Sequence, residues 1–575
     1  MTIFSSEDKP KIICMTCLVE TSPQALPLGA ACIASAIKND SRTRDKFFVE
    51  LLSFSKEEKS FSVDSIINKI FEKKEPLFVC MSMYVWNRNI LEDVAAKIKE
   101  KNSNIICIAG GPEVTANPFS LTNFDYTCSG AGENSMPELI NCLYENKNAS
   151  IQGVYSKKDF QEYCKKYSVE QKKKAAEALR SVPPLPSEIA SPYLDGTIDP
   201  AKYGGALWEL ARGCPFKCSY CYESKGENKI SFFPEERLLK ELELFAAKNI
   251  AQVFVLDPTY NADKARALKR LNAIKQKAPG MFFYFEARAE FIDRELAKAF
   301  ASIPCSLQIG LQSSDENVLS LVHRTFNKKQ FVKNIGILNE EGVVFGFDLI
   351  FGLPGDGLQG FKNSIDFAVS LYPNNIELFC LSVLPGTDLY ERADELKLQY
   401  ENVPPYHVIE NSTFNKNDIS KAEELALSCN LFYSQGRAVP WFIAVTKPLH
   451  IKPSNFFTDF ISFAKIKNIN LNNACAKLSS IEIESLQIDF IKFKYDEKHL
   501  QKLFIAAKDI IKLNNALSRT TADAAEQTVT LNYHPDDLLS EYMFDLNFFC
   551  ANAKHFNCNV KTFIGKNGAD YKIVK

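Results

Sequence analysis

The stretch Arg212-Gly213-Cys214-Pro215-Phe216-Lys217-Cys218-Ser219-Tyr220-Cys221-Tyr222-Glu223 constrains this chain more than any other. It sets Cys214, Cys218 and Cys221 at Cys-x3-Cys-x2-Cys spacing, with an aromatic residue just before the last one. Three thiolates on a tight loop hold three irons of a [4Fe–4S] cube and leave the fourth iron open for a substrate or cofactor. The apolar run 206–210 before the loop reads as a strand. Gly213 and Pro215 then turn the chain around the cluster. A structural zinc loop is the competing reading. Zinc takes four closed ligands in paired halves, and no second half lies nearby.

A chain of 575 residues exceeds one core and calls for three or four domains. Its net charge of −2 gives no push toward nucleic acid or anionic membranes. The first ten residues are polar and charged, unlike a secretory signal, and no apolar run approaches the ~20 residues that span a bilayer. The seventeen cysteines are odd in number, scattered, and often inside apolar runs (Cys32, Cys80, Cys107, Cys380). They read as buried thiols in a reducing cytoplasm rather than a disulfide framework.

Residues 11–150 alternate strands and helices. Strands are expected at 11–19, 48–53, 77–83, 104–109 and 126–129, with helices at 26–38, 63–73, 90–101 and 135–144. This order predicts a doubly wound parallel sheet that binds ligands beyond its C-terminal strand ends. Glycines there, at Gly110-Gly111 and Gly130-Ala131-Gly132-Glu133, let a cofactor approach the backbone. No Gly-x-Gly-x-x-Gly follows the first strand, which argues against a nicotinamide site. Cys14-x-x-Cys17 lies within or just beyond a strand and not at a helix start, so both thiols read as structural.

From 204 to about 390 six strand-helix repeats follow, with strands near 207–210, 252–256, 282–285, 306–310, 344–350 and 375–381. Six such units predict a partial (β/α)6 barrel with its chemistry at the C-terminal strand ends. Polar residues cluster there: Asp257 to Asn261, Glu286-Ala287-Arg288, Gln308 to Ser313, and Asp348 with Gly352-Leu353-Pro354-Gly355. His323 lies in a loop after the fourth strand, where it reads equally as a surface residue or a proton carrier, and it is not placed in the site.

The cysteine spacing resembles that of the radical S-adenosylmethionine (SAM) enzymes. The pieces Ser82-Met83-Tyr84-Val85-Trp86-Asn87, Ala109-Gly110-Gly111-Pro112-Glu113 and Gly130-Ala131-Gly132-Glu133 resemble the cobalamin-binding domain at the N-terminus of many of them. Ser191 to Gly196, Leu384-Pro385-Gly386-Thr387-Asp388-Leu389 and Pro404-Pro405-Tyr406-His407 extend the similarity. It covers roughly residues 75–410 and points to uncharacterised cobalamin-type members with a C-terminal extension.

The resemblance implies a domain plan of 1–150 for cobalamin, a linker at 151–203, the radical SAM barrel at 204–410 and an α+β cap of unknown role at 411–575. It implies that Cys214, Cys218 and Cys221 ligate the cluster. SAM would meet Tyr222, Asp257, Asn261, Glu286, Arg288, Gln308, Gln312 and Asp348, with Arg288 suited to a bidentate carboxylate pair. Cobalamin would lie against Ser82, Tyr84, Trp86, Asn87, Gly110, Gly111, Gly130, Gly132 and Glu133, its nucleotide tail slotted into the sheet. No histidine occurs in residues 1–200, so the Asp-x-His-x-x-Gly signature of the methionine-synthase type is absent. The cobalt would then have Tyr84, Trp86 or water as its nearest lower neighbour, which eases access to low valence.

The activity implied is reductive cleavage of SAM to a 5′-deoxyadenosyl radical, fed by a low-potential donor of the flavodoxin or ferredoxin type. Its outcome would be methylation of an unactivated carbon in a small molecule or peptide. Three alternatives stay open: radical rearrangement or cyclisation without methyl transfer, a non-catalytic iron–sulfur or zinc protein, and a methylthiotransferase-like enzyme acting on tRNA. The last needs a second cysteine-ligated cluster and a basic appendage, and neither is evident. Residues 411–575 carry no assignable motif. A helix is expected at 419–432, opening on a Ser420-x-x-Glu423 capping box, and strands at 528–532 and 560–564. Its many aromatics read as core.

Overall fold

The computed structural model describes residues 9–166, 179–223, 229–566 and 568–574, the side chains at 163 and 164 excepted. The chain forms two compact units. One is Met1–Ala287 with Glu295–Ser306 and Ser382–Val408; the other is Arg288–Arg294 with Leu307–Leu381 and Ile409–Lys575.

The first unit begins with a six-stranded sheet in the order β2-β1-β3-β4-β5-β6. Its strands are β1 (Lys11–Leu18), β2 (Phe48–Ser55), β3 (Pro76–Ser82), β4 (Ile106–Gly110), β5 (Tyr126–Cys128) and β6 (Val154–Ser156). The first five pair in parallel, as the βαβα pattern requires, while β6 closes the edge antiparallel to β5. β1 is buried on both faces because helices cover both sides of a parallel sheet. Ile13, Met15 and Cys17 enter the core with Val79, Met81 and Leu91. Ile12 and Cys14 enter the opposite core with Cys80, Ile108, Cys128 and Leu139. Cys14 and Cys17 therefore point to opposite faces, and both are buried; burial pushes the Cys17 thiol up to about 12. The expected helices form at Leu28–Asn39, Val63–Ile70, Arg88–Lys101 and Gly132–Tyr144. Order 2-1-3 places the reversal of winding at β1 and β3, where an open sheet keeps its ligand crevice.

The stretch expected as a linker at 151–203 contains the helix Lys157–Lys166, and its residues 167–178 lie outside the described ones. Beyond it, Asp195 accepts hydrogen bonds from Ser35 (2.5 Å) and Asn39 (2.7 Å) on the first helix of the sheet. Three barrel strands follow in the first unit: β7 (Gly205–Trp208), β10 (Gln252–Val255) and β11 (Phe282–Ala287), parallel with β10 in the middle. The short hairpin β8 (Ala211–Arg212) and β9 (Ser231–Phe232) lies between β7 and β10 in sequence. A buried carboxylate, Glu241, ties this layer together. It accepts from the Trp208 indole (2.9 Å), the Ser191 hydroxyl (2.6 Å) and Arg237 (2.9 Å).

The second unit contributes β12 (Cys305–Gln312), β13 (Val344–Phe351) and β14 (Asn375–Cys380) in the order β14-β13-β12. Phe345, Phe347, Leu349 and Phe351 alternate into the core beneath the covering helices, and Gly346 and Asp348 fall on the other face. The six strand-helix repeats of the partial barrel thus divide three and three. The short strand β15 (Gln399–Tyr400) belongs to the first unit, whose last residue, Val408, opens β16 (Val408–Glu410).

The rest of the second unit is helical, ending in an antiparallel sheet of β17 (Gln527–Tyr533), β18 (His555–Gly565) and β19 (Gly568–Val574). The helix expected at 419–432 starts earlier, at Lys416–Cys429, and Asn415 caps it by accepting from the Asp418 amide (3.0 Å). Ser420 lies inside that helix, so its capping-box spacing is coincidental. The aromatics are core: Phe432 meets Trp441, Phe456, Phe460 and Phe490 at ring distances of 6.0, 5.0, 5.1 and 5.9 Å. At Asn430–Gln435 the helix widens into a π turn, and Gln487 donates to the carbonyls of Phe432 (2.8 Å) and Gly436 (2.9 Å).

Candidate functional site

The cysteine loop leaves β7 and β8 held at its base by Asp257. This carboxylate follows β10 and accepts at Oδ1 from the amides of Leu210 (2.9 Å) and Ala211 (3.0 Å). Burial pushes Asp257 up to about 7, against the lowering effect of those amides and of Arg270. Gly213 takes a φ of +90°, which only glycine adopts without strain, and turns the chain into the motif. Cys214 and Cys218 are buried, Cys221 is half-buried, and the Cys221 amide donates to the Cys218 carbonyl (3.1 Å). Among the described residues no three His, Cys, Asp or Glu side chains converge on a single ion. A cubane gives each thiolate its own iron, so convergence on one point is not what this donor set requires. Tyr222 and Glu223 come next. Asn261 is buried in the turn Tyr260–Ala262, and Glu286 lies exposed on β11.

Still within the first unit, a cavity of about 1270 Å³ opens between the C-terminal ends of the N-terminal sheet and the cysteine loop. Ser82, Tyr84, Trp86, Gly110, Gly111, Gly130, Gly132 and Glu133 all line it, and so do Arg212, Gly213, Tyr222 and Glu223. Its floor is apolar, with Cys14, Cys80, Ile108, Cys128 and Met136. Tyr84 and Trp86 stack face to face (4.5 Å, 8°), with Trp86 43% exposed. Burial pushes the Tyr84 hydroxyl up to about 12, so it stays protonated. A corrinoid fits this enclosure: the volume suits a large flat ligand and the slot is greasy. No lining residue is a histidine.

Two residues of that group serve the protein itself. Asn87 is buried, accepts from the Tyr84 amide (2.8 Å), and donates to Thr16 (2.9 Å) and the Cys17 carbonyl (3.1 Å), fastening the end of β3 to β1. Glu133 pairs with Arg212 (2.7 Å), which also pairs with Glu209 (2.9 Å). The glycines divide similarly. A Cβ on Gly111 (φ +106°) would stand 2.5 Å from the Met83 carbonyl, and one on Gly130 (φ +92°) 2.7 Å from the Ser181 hydroxyl. Only at Gly110 does no atom come closer than 3.8 Å, leaving the approach to a ligand.

The remaining SAM candidates belong to the second unit. Arg288 is buried and donates to Glu290 through Nε (3.0 Å) and Nη2 (2.5 Å). Gln308 donates to Asp348 (2.5 Å); burial pushes Asp348 up to about 6, with that hydrogen bond opposing it. Gln312 ends β12 at a φ of +67°, and its buried Oε1 has no hydrogen-bond partner. An orphaned acceptor of this kind suits an amino or hydroxyl donor of a bound nucleoside.

Sequence reasoning missed the Arg212–Glu133 pair, although both residues lay in quoted motifs. It also missed a triad of buried Glu113 and Tyr406 with half-buried Arg88, in which Tyr406 donates to Glu113 (2.9 Å) across 293 residues of chain. Nothing in a single sequence signals that pairing.

Comparison with known proteins adds the family. Residues 208–368 match the radical SAM superfamily, and residues 15–140 match the B12 binding domain. The chain is 26% identical over 348 residues to the cobalamin-dependent radical SAM methyltransferase TokK of Streptomyces tokunonensis, covering 55% of this chain and 48% of that one. It is 26% identical over 398 residues to the 2-(S-pantetheinyl)-carbapenam-3-carboxylate methyltransferase of Streptantibioticus cattleyicolor, covering 63% and 54%. It thus spans about half the length of these curated relatives. A structure of the cobalamin-dependent SAM radical enzyme OxsB with aqua-cobalamin bound superposes with a TM-score of 0.56 at 15% identity, covering 95% of this chain and 85% of that one. Residues 208–368 thus carry a radical SAM domain and residues 15–140 a B12 binding domain.

Proposed function

We propose that the protein is a cobalamin-dependent radical SAM methyltransferase acting on an unactivated carbon of a small molecule or peptide. The observation that carries this reading is the single cavity of about 1270 Å³, with the B12-domain strand ends on one side and the cysteine loop on the other. When bound there, the cluster supplies the electron that splits SAM into methionine and a 5′-deoxyadenosyl radical, and the corrinoid supplies the methyl group taken up by the substrate radical.

The chain's own part is to hold and exclude. Cys214, Cys218 and Cys221 provide three thiolates. Asp257 fixes the amides at the base of their loop. Tyr84 and Trp86 would offer a bound corrinoid a flat aromatic surface without a strong donor. Arg288 and Gln312 are suited to a carboxylate and a nucleoside donor of SAM.

The test is anaerobic purification with added hydroxocobalamin and metal analysis, followed by incubation with reductant, candidate substrates and SAM labelled in its methyl group. About four irons and one cobalt per chain, with label in the product, support the reading. Label that never reaches a product, despite 5′-deoxyadenosine formation, points instead to rearrangement or cyclisation. Iron without cobalt overturns it. A flavodoxin- or ferredoxin-type protein is the reductant proposed for the cell.

A further inference from the structure

The segment Ser382–Val408 belongs to the first unit and meets both the helix after Gly110-Gly111 and the cysteine loop. Its Leu389 amide donates to the Ser219 carbonyl (2.8 Å), between the cluster ligands Cys218 and Cys221. Gly386 adopts a φ of +82°; a Cβ there would lie 3.3 Å from Ala116 Cα and 3.4 Å from Tyr222. Ala116 belongs to the short helix Pro112–Ala116 that follows Gly110-Gly111, and Tyr222 follows the last cluster cysteine. Glycine at 386 is thus wedged between the corrinoid-side loop and the cluster loop.

The far end of the segment is anchored to the corrinoid side. Tyr406, buried and at a φ of +59°, donates to Glu113 (2.9 Å), itself buried and paired with Arg88 (3.2 Å). Arg88 also donates to Ser120 (2.8 Å), and the Val383 amide returns to the Tyr406 carbonyl (2.9 Å). That last bond joins the two ends of the segment, so the anchor at Glu113 and the contacts at Gly386 and Leu389 belong to one closed piece of chain. Buried, charge-assisted bonds of this kind hold geometry more firmly than exposed pairs do.

We propose that Ser382–Val408 is a strap that sets the spacing between the corrinoid and the cluster, with Gly386 and Tyr406 as its positioning residues. This rests on both cofactors binding as proposed above. Neither residue touches a reacting atom; each acts through the loops it holds.

The test uses the full chain loaded with cluster and cobalamin, comparing Tyr406→Phe and Gly386→Val with wild type. One readout is amide hydrogen exchange in peptides covering 112–120 and 216–223. The other is the magnetic dipolar coupling between cob(II)alamin and the one-electron-reduced cluster. Tyr406→Phe should keep wild-type iron and cobalt content, speed exchange in both peptides about tenfold, and shift or broaden the coupling. Faster exchange confined to 112–120 with unchanged coupling overturns the strap, since the hydroxyl would then serve its own loop alone. Should Gly386→Val fail to fold, Gly386→Ala brings the same clash with one methyl. If wild type takes up no cobalamin, the proposed function fails, and exchange at 216–223 still decides whether the strap couples the two loops.

Discussion

Replacing Asp257 by Asn should remove a pH dependence that the native protein carries. Asp257 is only 6% exposed, and burial lifts its pKa from 3.8 to about 7. Three units at ~1.4 kcal/mol each amount to ~4 kcal/mol, an upper figure for one buried group. The folded pKa lies above the unfolded one, so between pH 4 and 7 the native state binds the proton that the unfolded state has released. Stability therefore falls as pH rises through that window, and it is fully present below pH 4. Asn is neutral throughout, and its Oδ1 can accept from the Leu210 and Ala211 amides as Asp257 does. The variant should match wild type near pH 4 and exceed it by ~2–4 kcal/mol at pH 8. Hydrogen exchange at Leu210 and Ala211, corrected for the intrinsic pH dependence, reads this locally and avoids assuming that a two-unit chain unfolds in one step. Parallel pH slopes for Asp and Asn between pH 5 and 8 would refute the reasoning, because they would mean that Asp257 is ionised at no cost.

Converting Cys214, Cys218 and Cys221 together to Ala should abolish bound iron and the ~400 nm absorbance of a cysteine-held cluster, read by metal analysis and spectroscopy. Cobalamin bound in the cavity should show no nitrogen superhyperfine splitting from a protein imidazole, since no lining residue is a histidine; a histidine-ligated signal would disprove it. Arg212→Met leaves Glu133 and Glu209 uncompensated and should lower stability by ~2 kcal/mol, with the double variant Glu133→Gln/Arg212→Met less damaged than the sum of the singles. Phe432→Ala should cost ~3–5 kcal/mol in thermal unfolding of the second unit while leaving iron content unchanged.

Strand periodicity carried most of the architecture, because a parallel sheet buried on both faces writes itself as unbroken apolar runs such as 11–18. The cysteine loop was legible for a different reason: Cys214, Cys218 and Cys221 lie close together in sequence. What stayed hidden depends on partners far apart. Glycines 111 and 130 were read as openings for a ligand, whereas Met83 and Ser181 occupy the space beside them. Asn87 was read as touching cobalamin, but its amide is spent joining two strands. The Ser420 capping box fitted the spacing rule, yet Asn415 was available one turn earlier. Strand β6 was missed because it returns antiparallel to β5, outside the parallel βαβα repeat that the pattern follows.

The thiols on the cavity floor carry a chemical consequence of their own. Burial lifts Cys128 to about 11 and holds Cys32 well above the ordinary thiol range, and a hydrogen bond with Cys14, reinforced by burial, does the same for Cys80. Alkylating reagents attack the thiolate, so these sulfurs should stay silent at neutral pH until the fold opens. Maleimide labelling followed by peptide mapping would then act as a clock for the N-terminal domain, with Cys32, Cys80 and Cys128 reacting far faster in molecules whose N-terminal domain has come apart.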